Sequence, residues 1–161
     1  MEIDKLERLL SIRTVVLLTF LNSRQGVQVY PTLSPILVSR VPTILCFTFD
    51  RSYIAVSLTD KEFVVNFMRK KYKREVERCM KRYQEGINKI LQVGLTPTSS
   101  KIVRVPRIGE ADAWLECRCL ESRRIGDGFL FLAEVLVFDV SERLKKEDYT
   151  PTFLLTPIAK L

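Results

Sequence analysis

Stretches in which apolar residues alternate with polar ones, or run unbroken for four or five positions, dominate this chain of 161 residues. "RTVVLLTF" (13–20) is rich in β-branched residues and predicts a first strand; "VQVY" (27–30) alternates strictly and predicts a second. "TILCFTF" (43–49) reads as a third, largely buried strand, and "KEFVVNF" (61–67) as a fourth. "DAWLECRCLESRRI" (112–125) and "FLFLAEVLVFDV" (129–140) are long apolar strands joined by the tight turn Gly126-Asp127-Gly128, the clearest hairpin in the chain. Between these runs, "NSRQG" (22–26) is a turn, "PTLSPILVSRVP" (31–42) a proline- and serine-punctuated connection, and residues 50–60 a turn or short helix.

The period changes to a helical one in two places. Leu6, Leu9 and Leu10 share one side of a short leading helix over residues 1–10. In "MRKKYKREVERCMKRY" (68–83), Tyr72, Val76, Cys79 or Met80, and Tyr83 recur at helical spacing, and lysines and arginines fill the rest of the circumference. That helix is expected to continue in pieces to Val93, where Gly94 supplies a stop. Residues 141–161 hold a charged turn and one last apolar piece. No repeat is evident. The pattern predicts one mainly β domain over residues 1–161, a closed or partly closed antiparallel barrel with a helical insertion at about 68–93.

Composition narrows the chemistry. No apolar run reaches membrane-spanning length, and the opening Met-Glu-Ile-Asp-Lys places acid before base, the wrong order for a secretory signal. A cytoplasmic protein without a membrane partner is expected. Cys117 and Cys119 would point to one face of a strand with Arg118 on the other, and the spacing of the four cysteines fits no usual zinc site, so reduced core thiols are expected. Histidine is absent, which excludes histidine general acid–base catalysis, Ser-His-Asp and Cys-His nucleophiles, and histidine metal sites. Any catalysis must come from a cofactor or from carboxylates. The net charge of +7 is concentrated in residues 68–83, which read as a solvated helix face or as a field that attracts an anionic cofactor. No nucleic-acid module accompanies it, and nucleic acid is not expected as a partner.

Four segments in order carry a resemblance. They are "RTVVLLTF", "YPTLSPILVSRVPTILCFT", "KEFVVNF" and "GLTPTSSKIVRVPRIGEADAWLEC" (94–117), with the "GDG" turn beyond them. Together they resemble the flavin-reductase-like family, whose fold is an FMN-binding split barrel, a Greek-key-like antiparallel barrel. The similarity runs from about residue 13 to 140.

The resemblance implies an FMN-binding flavoprotein of flavin-reductase type, an oxidoreductase whose bound flavin carries hydride or electrons from NAD(P)H or another donor. It also implies a homodimer whose second subunit completes the flavin pocket. Carried over by position, the implied cofactor-binding residues are Arg13, Thr32, Ser34, Ser39, Thr48, Phe49, Arg51, Ser52, Ser100 and Lys101, with no catalytic side chain and no metal. Leu33, Pro35, Phe47 and Phe49 are candidates for an apolar slot, although Phe47 also reads as ordinary barrel core. The chain departs from the family at ligand positions: Leu33 stands at a family serine, "DRSYIAV" replaces a Thr-x-x-Asn phosphate clip, and Gly128 ends the turn where a histidine is usual. The alternative is therefore a degenerate homodimeric barrel that no longer binds FMN and acts through interaction.

Overall fold

The computed structural model describes residues 14–24, 26–49, 58–59, 61–81 and 86–146. The expected leading helix, most of the 50–60 segment, and the last apolar piece lie outside the described residues, as do Arg13, Arg51 and Ser52.

Seven strands form one antiparallel sheet: β1 (Val15–Asn22), β2 (Gly26–Leu33), β3 (Ile36–Arg40), β4 (Thr43–Phe49), β5 (Glu62–Phe67), β8 (Ala113–Ile125) and β9 (Gly128–Val140). Their order is β2-β1-β5-β8-β9-β4-β3. A two-stranded ribbon of β6 (Pro97–Thr98) and β7 (Arg107–Ile108) interrupts the sequence between β5 and β8. β2 and β3 stand at opposite edges of the large sheet, yet only Ser34 and Pro35 separate them. Two residues cannot cross a flat seven-stranded sheet, whose strands lie about 4.8 Å apart, so the sheet must curl until its edges meet at that corner. The barrel follows from topology.

Alternation along each strand fills the interior. Val16, Leu18 and Phe20 of β1 face Phe63 and Val65 of β5, Leu45, Phe47 and Phe49 of β4, Cys117 and Cys119 of β8, and Phe131 and Ala133 of β9. Phe47 meets Phe63 and Phe131 edge to face, with centroids 5.7 and 6.4 Å away, and stacks on Phe49 at 6.2 Å. These are the favoured aromatic geometries, and they occupy the barrel axis with side chains. Phe47 is core.

The residues of 31–42 behave differently from the expected connection. β2 runs on through Pro31 to Leu33, and Ile36–Arg40 forms a strand of its own. A proline is tolerated in β2 because β2 is an edge strand, where a missing N–H forfeits no bond on the free side. The helical insertion is also shorter than its period suggested. A 3₁₀ turn at Lys70–Tyr72 leads into α1 (Lys73–Arg78), and α2 (Lys89–Gln92) follows after an interval that includes Gly86 at φ +79°. Asn88 caps α2 by accepting from Ile90 N–H at 2.9 Å, and Gly94, at φ +87°, ends it as expected. Val76, Cys79, Ile90, Val93 and Leu95 seal the outside of β1 and β2 against Leu17 and Val29.

The expected hairpin of β8 and β9 forms, pairing from Ala113↔Val140 to Ile125↔Gly128 with register shifts at Glu116/Cys117 and Cys119/Glu121. A last helix, α3 (Glu142–Lys146), is clasped to the start of β8, where the buried Asp112 accepts from Arg143 Nη2 at 2.5 Å. All four cysteines are free thiols, and burial pushes the Cys79 thiol up to about 12.

Candidate functional site

The segment from Gly94 to Asp112 carries the densest set of buried polar contacts in the described chain, and each has a local cause. Thr96 donates its N–H and its hydroxyl to the Glu110 carboxylate, at 3.0–3.1 and 2.7 Å, which closes the base of the loop. The ribbon pairs Pro97 with Ile108 and Thr98 with Arg107. Gly109 is needed there: a Cβ would stand 3.0 Å from Thr98 Cγ2 and 3.4 Å from Thr96 O. Val103 and Val105 turn inward onto Val64, flanked by Trp114 and Leu136, so the loop lies on the outer face of β5, β8 and β9.

Beneath it sits Glu116, fully buried. Its Oε1 accepts the N–H of Lys101 at 2.7 Å, and its Oε2 accepts those of Ile102 and Val103 at 2.7 and 3.1 Å. Arg107 donates Nε to Oε1 at 2.9 Å and places Nη2 at 2.6 Å from the same oxygen. Arg107 Nη1 then reaches Asp139 Oδ2 at 2.8 Å, which Lys101 Nζ also contacts at 2.9 Å. The guanidinium lies over the Trp114 ring, 5.3 Å from its centroid, and Trp114 Nε1 donates to Ile108 O at 2.8 Å. Two neutral residues finish the anchoring. Asn66 donates to Leu17 O and accepts from Ile108 N–H at 2.9 Å, while Thr19 donates to Pro106 O at 2.7 Å. Such a loop needs its buried backbone groups satisfied, and these side chains satisfy them.

Electrostatics follow from the same contacts. Burial alone would raise the Glu116 carboxyl, but the N–H groups of Lys101, Val103 and Ile102 and the Arg107 side chain outweigh it and hold the group below its usual range. Hydrogen bonds from Lys101 and Arg107 hold Asp139 at about 2. A carboxylate depressed on folding contributes stability above its unfolded value and loses it as pH falls through the folded value. Urea midpoints should therefore decline as pH drops from the ordinary carboxylate range near 4 toward about 2, and Asp139→Asn should flatten that decline. Equal slopes in the two proteins would remove Asp139 from the linkage.

The residues that the family resemblance assigned to a cofactor fall into separate groups. Thr32 is buried in β2 opposite Val16, and Ser34 N–H donates to Thr14 O at the corner between β2 and β3. Ile36, which begins β3, pairs with Cys46. Thr48 is exposed at the end of β4, and its hydroxyl has no partner among the described residues. Phe49 beside it is buried in the barrel. Arg51 and Ser52 follow directly in sequence, outside the described residues. Ser39 stands at the other end of β3, half-buried, opposite Ile44.

Ser100 and Lys101 lie elsewhere. Ser100 Oγ donates to Val105 O, and Lys101 reaches Asp139. Asp139 is nine residues along β9 from Leu130, the partner of Thr48, or about 30 Å of strand at the usual rise per residue. Within one chain the two groups do not meet. At the end of β4, Thr48 offers an exposed hydroxyl in a basic protein. The outer surface of the loop adds Thr98, Ser99 and Arg104 around a shallow concavity of about 330 Å³.

Arg107, Glu116 and Asn66 entered the sequence reading only as members of the matching segments, in Pro-Arg-Ile, the acid before Cys117 and Val-Val-Asn, with no role assigned; Asp139 and Thr19 were not singled out. One signal was present: with Cys117 and Cys119 facing in, Glu116 must face out. Alternation gives the face, and only the folded loop shows that this face is covered.

Comparison with known proteins gives a consistent set. A family model described as "Flavin reductase like domain" matches residues 11–155. An uncharacterized protein of Aquifex aeolicus (strain VF5) is 29% identical over 105 residues, which are 65% of this chain and 54% of that protein, so the match spans about half of the relative's length. A Shewanella frigidimarina protein with a split barrel domain superposes with TM-score 0.75 at 11% identity, covering 88% of this chain and 76% of the other. The NADH:FAD oxidoreductase of Streptomyces globisporus C-1027 superposes with TM-score 0.71 at 18% identity, covering 87% and 84%. The barrel described above is a split barrel.

Proposed function

Since the chain belongs to the flavin-reductase-like domain family, we propose that it is an FMN-binding oxidoreductase of flavin-reductase type, supplied with electrons by a reduced nicotinamide. The observation that carries this reading is a family match across nearly the whole chain, joined to the retained, fully anchored loop 94–112. Bound flavin supplies the redox step. The protein's own residues bind and orient. Thr48 offers a hydroxyl at the end of β4 and Ser34 stands at the corner between β2 and β3, Phe49 gives an apolar wall, and Lys101 and Ser100 present a second polar face. No histidine is required of such a site, and none exists. FAD is the competing flavin, because the Streptomyces protein is named for it.

The two polar faces are separated along β9, and only a homodimer in which the loop of one protomer meets the corner of the other would unite them. A homodimer fits the surface as well. Ile36, Leu37 and Val38 on the edge strand β3 are each more than half exposed, and Val41 is 92% exposed. An exposed apolar edge of this kind invites pairing. A single 1–161 domain in the cytoplasm completes the reading. Separately, no helix among the described residues is long and apolar enough to cross a membrane.

The test is a spectrum. Purified protein, as isolated or after addition of FMN, should show flavin absorbance that comigrates with the protein at dimer mass, and NADH should bleach it. Colourless protein that retains neither FMN nor FAD supports the degenerate barrel instead. The engagement of Ser100 and Lys101 within their own chain is the observation on that side.

A further inference from the structure

We propose that Glu116 is the positioning residue of the flavin face: its ionised carboxylate pre-sets the loop so that Ser99, Ser100 and Lys101 stand in place before any ligand arrives. This rests on the flavin reading above and goes beyond it, because it assigns part of the affinity to a side chain that no ligand can touch.

Three consecutive backbone N–H groups, from Lys101, Ile102 and Val103, converge on one fully buried carboxylate. Such a cradle would attract any anion of the right size, and here the chain fills it with its own. The loop's backbone donors are thus turned inward. What faces outward is side chain: Ser99, Arg104 and the half-exposed Lys101. Arg107 neutralises Glu116 and passes the constraint to Asp139, whose Oδ2 holds both Arg107 and Lys101. The chain Glu116–Arg107–Asp139–Lys101 therefore starts at a sealed carboxylate and ends at a solvent-facing ammonium. The inner members are fixed by burial. The Lys101–Asp139 contact is the one an anionic ligand can exchange at little cost, because its lysine end is open to solvent and Arg107 would still compensate Asp139. Preorganisation of this kind raises affinity by removing the ordering that binding would otherwise require.

The experiment compares wild type, Glu116→Gln, Lys101→Ala and the double variant, titrated with FMN and with FAD by flavin fluorescence, alongside amide exchange of residues 101–103. Glutamine keeps the volume but turns an NH₂ donor toward N–H groups, so flavin affinity should fall about tenfold, with faster exchange at those three amides. Lys101→Ala should weaken binding in the wild-type background and add less than about twofold in the Glu116→Gln background, the non-additivity of a positioning residue acting through Lys101. Glu116→Gln protein that exchanges faster yet binds flavin as wild type does would overturn the inference while leaving the flavin reading intact. Wild-type protein that takes up neither flavin overturns the reading of the site, and this inference with it. If Glu116→Gln does not fold, wild type decides alone. Amides 101–103 should be as protected without flavin as those of β8, and protection that appears only on adding flavin overturns the proposal.

Discussion

Phe131→Ala should lower the unfolding free energy by about 3–5 kcal/mol, the range for emptying a large aromatic site in a close-packed core. Phe131 is fully buried, and its ring meets Phe47, Phe49 and Phe63 edge to face at 6.4, 5.9 and 5.7 Å. It is the hub of the barrel interior, so its removal strips three aromatic contacts as well as apolar burial. Three strands converge there, and collapse onto the void would have to bend β4, β5 and β9 at once. The void should stay largely open. Urea unfolding of wild type and variant measures the loss, and a change below about 1 kcal/mol would mean that the interior is not packed as described.

Arg107→Ala carries the second large effect. It leaves Glu116 sealed under the loop with no cation within reach, and breaking a buried pair from one side costs about 3–5 kcal/mol. The three backbone N–H groups moderate this, so the lower part of that range is expected. Lysine should rescue poorly. Arg107 spans two carboxylates with one planar fork, with Nε and Nη2 on Glu116 and Nη1 on Asp139, and an ammonium has no such geometry. Arg107→Ala combined with Glu116→Gln should recover part of the loss, because the uncompensated charge is gone. A double variant less stable than Arg107→Ala alone would show that the charge itself is not what penalises the single change.

Both predictions turn on the covering of faces, which is also where sequence and structure part. The apolar runs in "RTVVLLTF", "KEFVVNF" and the long hairpin were enough to predict strands, while the folded sheet shows that Val16, Leu18, Phe63 and Phe131 share its inner face. The split barrel itself came from the resemblance of four segments to a known family, not from periodicity. β3 was hidden. Its prolines and serines resemble a loop, and it is a strand only because β4 offers it an edge. The helix over 68–93 shortened because Val76, Cys79 and Ile90 need only reach Leu17 and Val29, and two short pieces do so.

The candidate site divides along the same line. Hydroxyls at Ser34, Thr48 and Ser100 and the cation at Lys101 were legible as residue types in a recognisable order. Their separation along β9 was not, because register is set by pairing between strands far apart in sequence.

By itself, then, the sequence determined most of the strands, the long hairpin and the stop at Gly94, which depend on local periodicity and turn residues, and through the resemblance of its segments the family. Tertiary structure alone decided that the sheet closes at Ser34–Pro35, that Glu116 is sealed beneath residues 101–103, and that Lys101 stands apart from Thr48. Each of these is a meeting of distant segments, and a linear pattern carries no information about which covered surface a polar side chain will find.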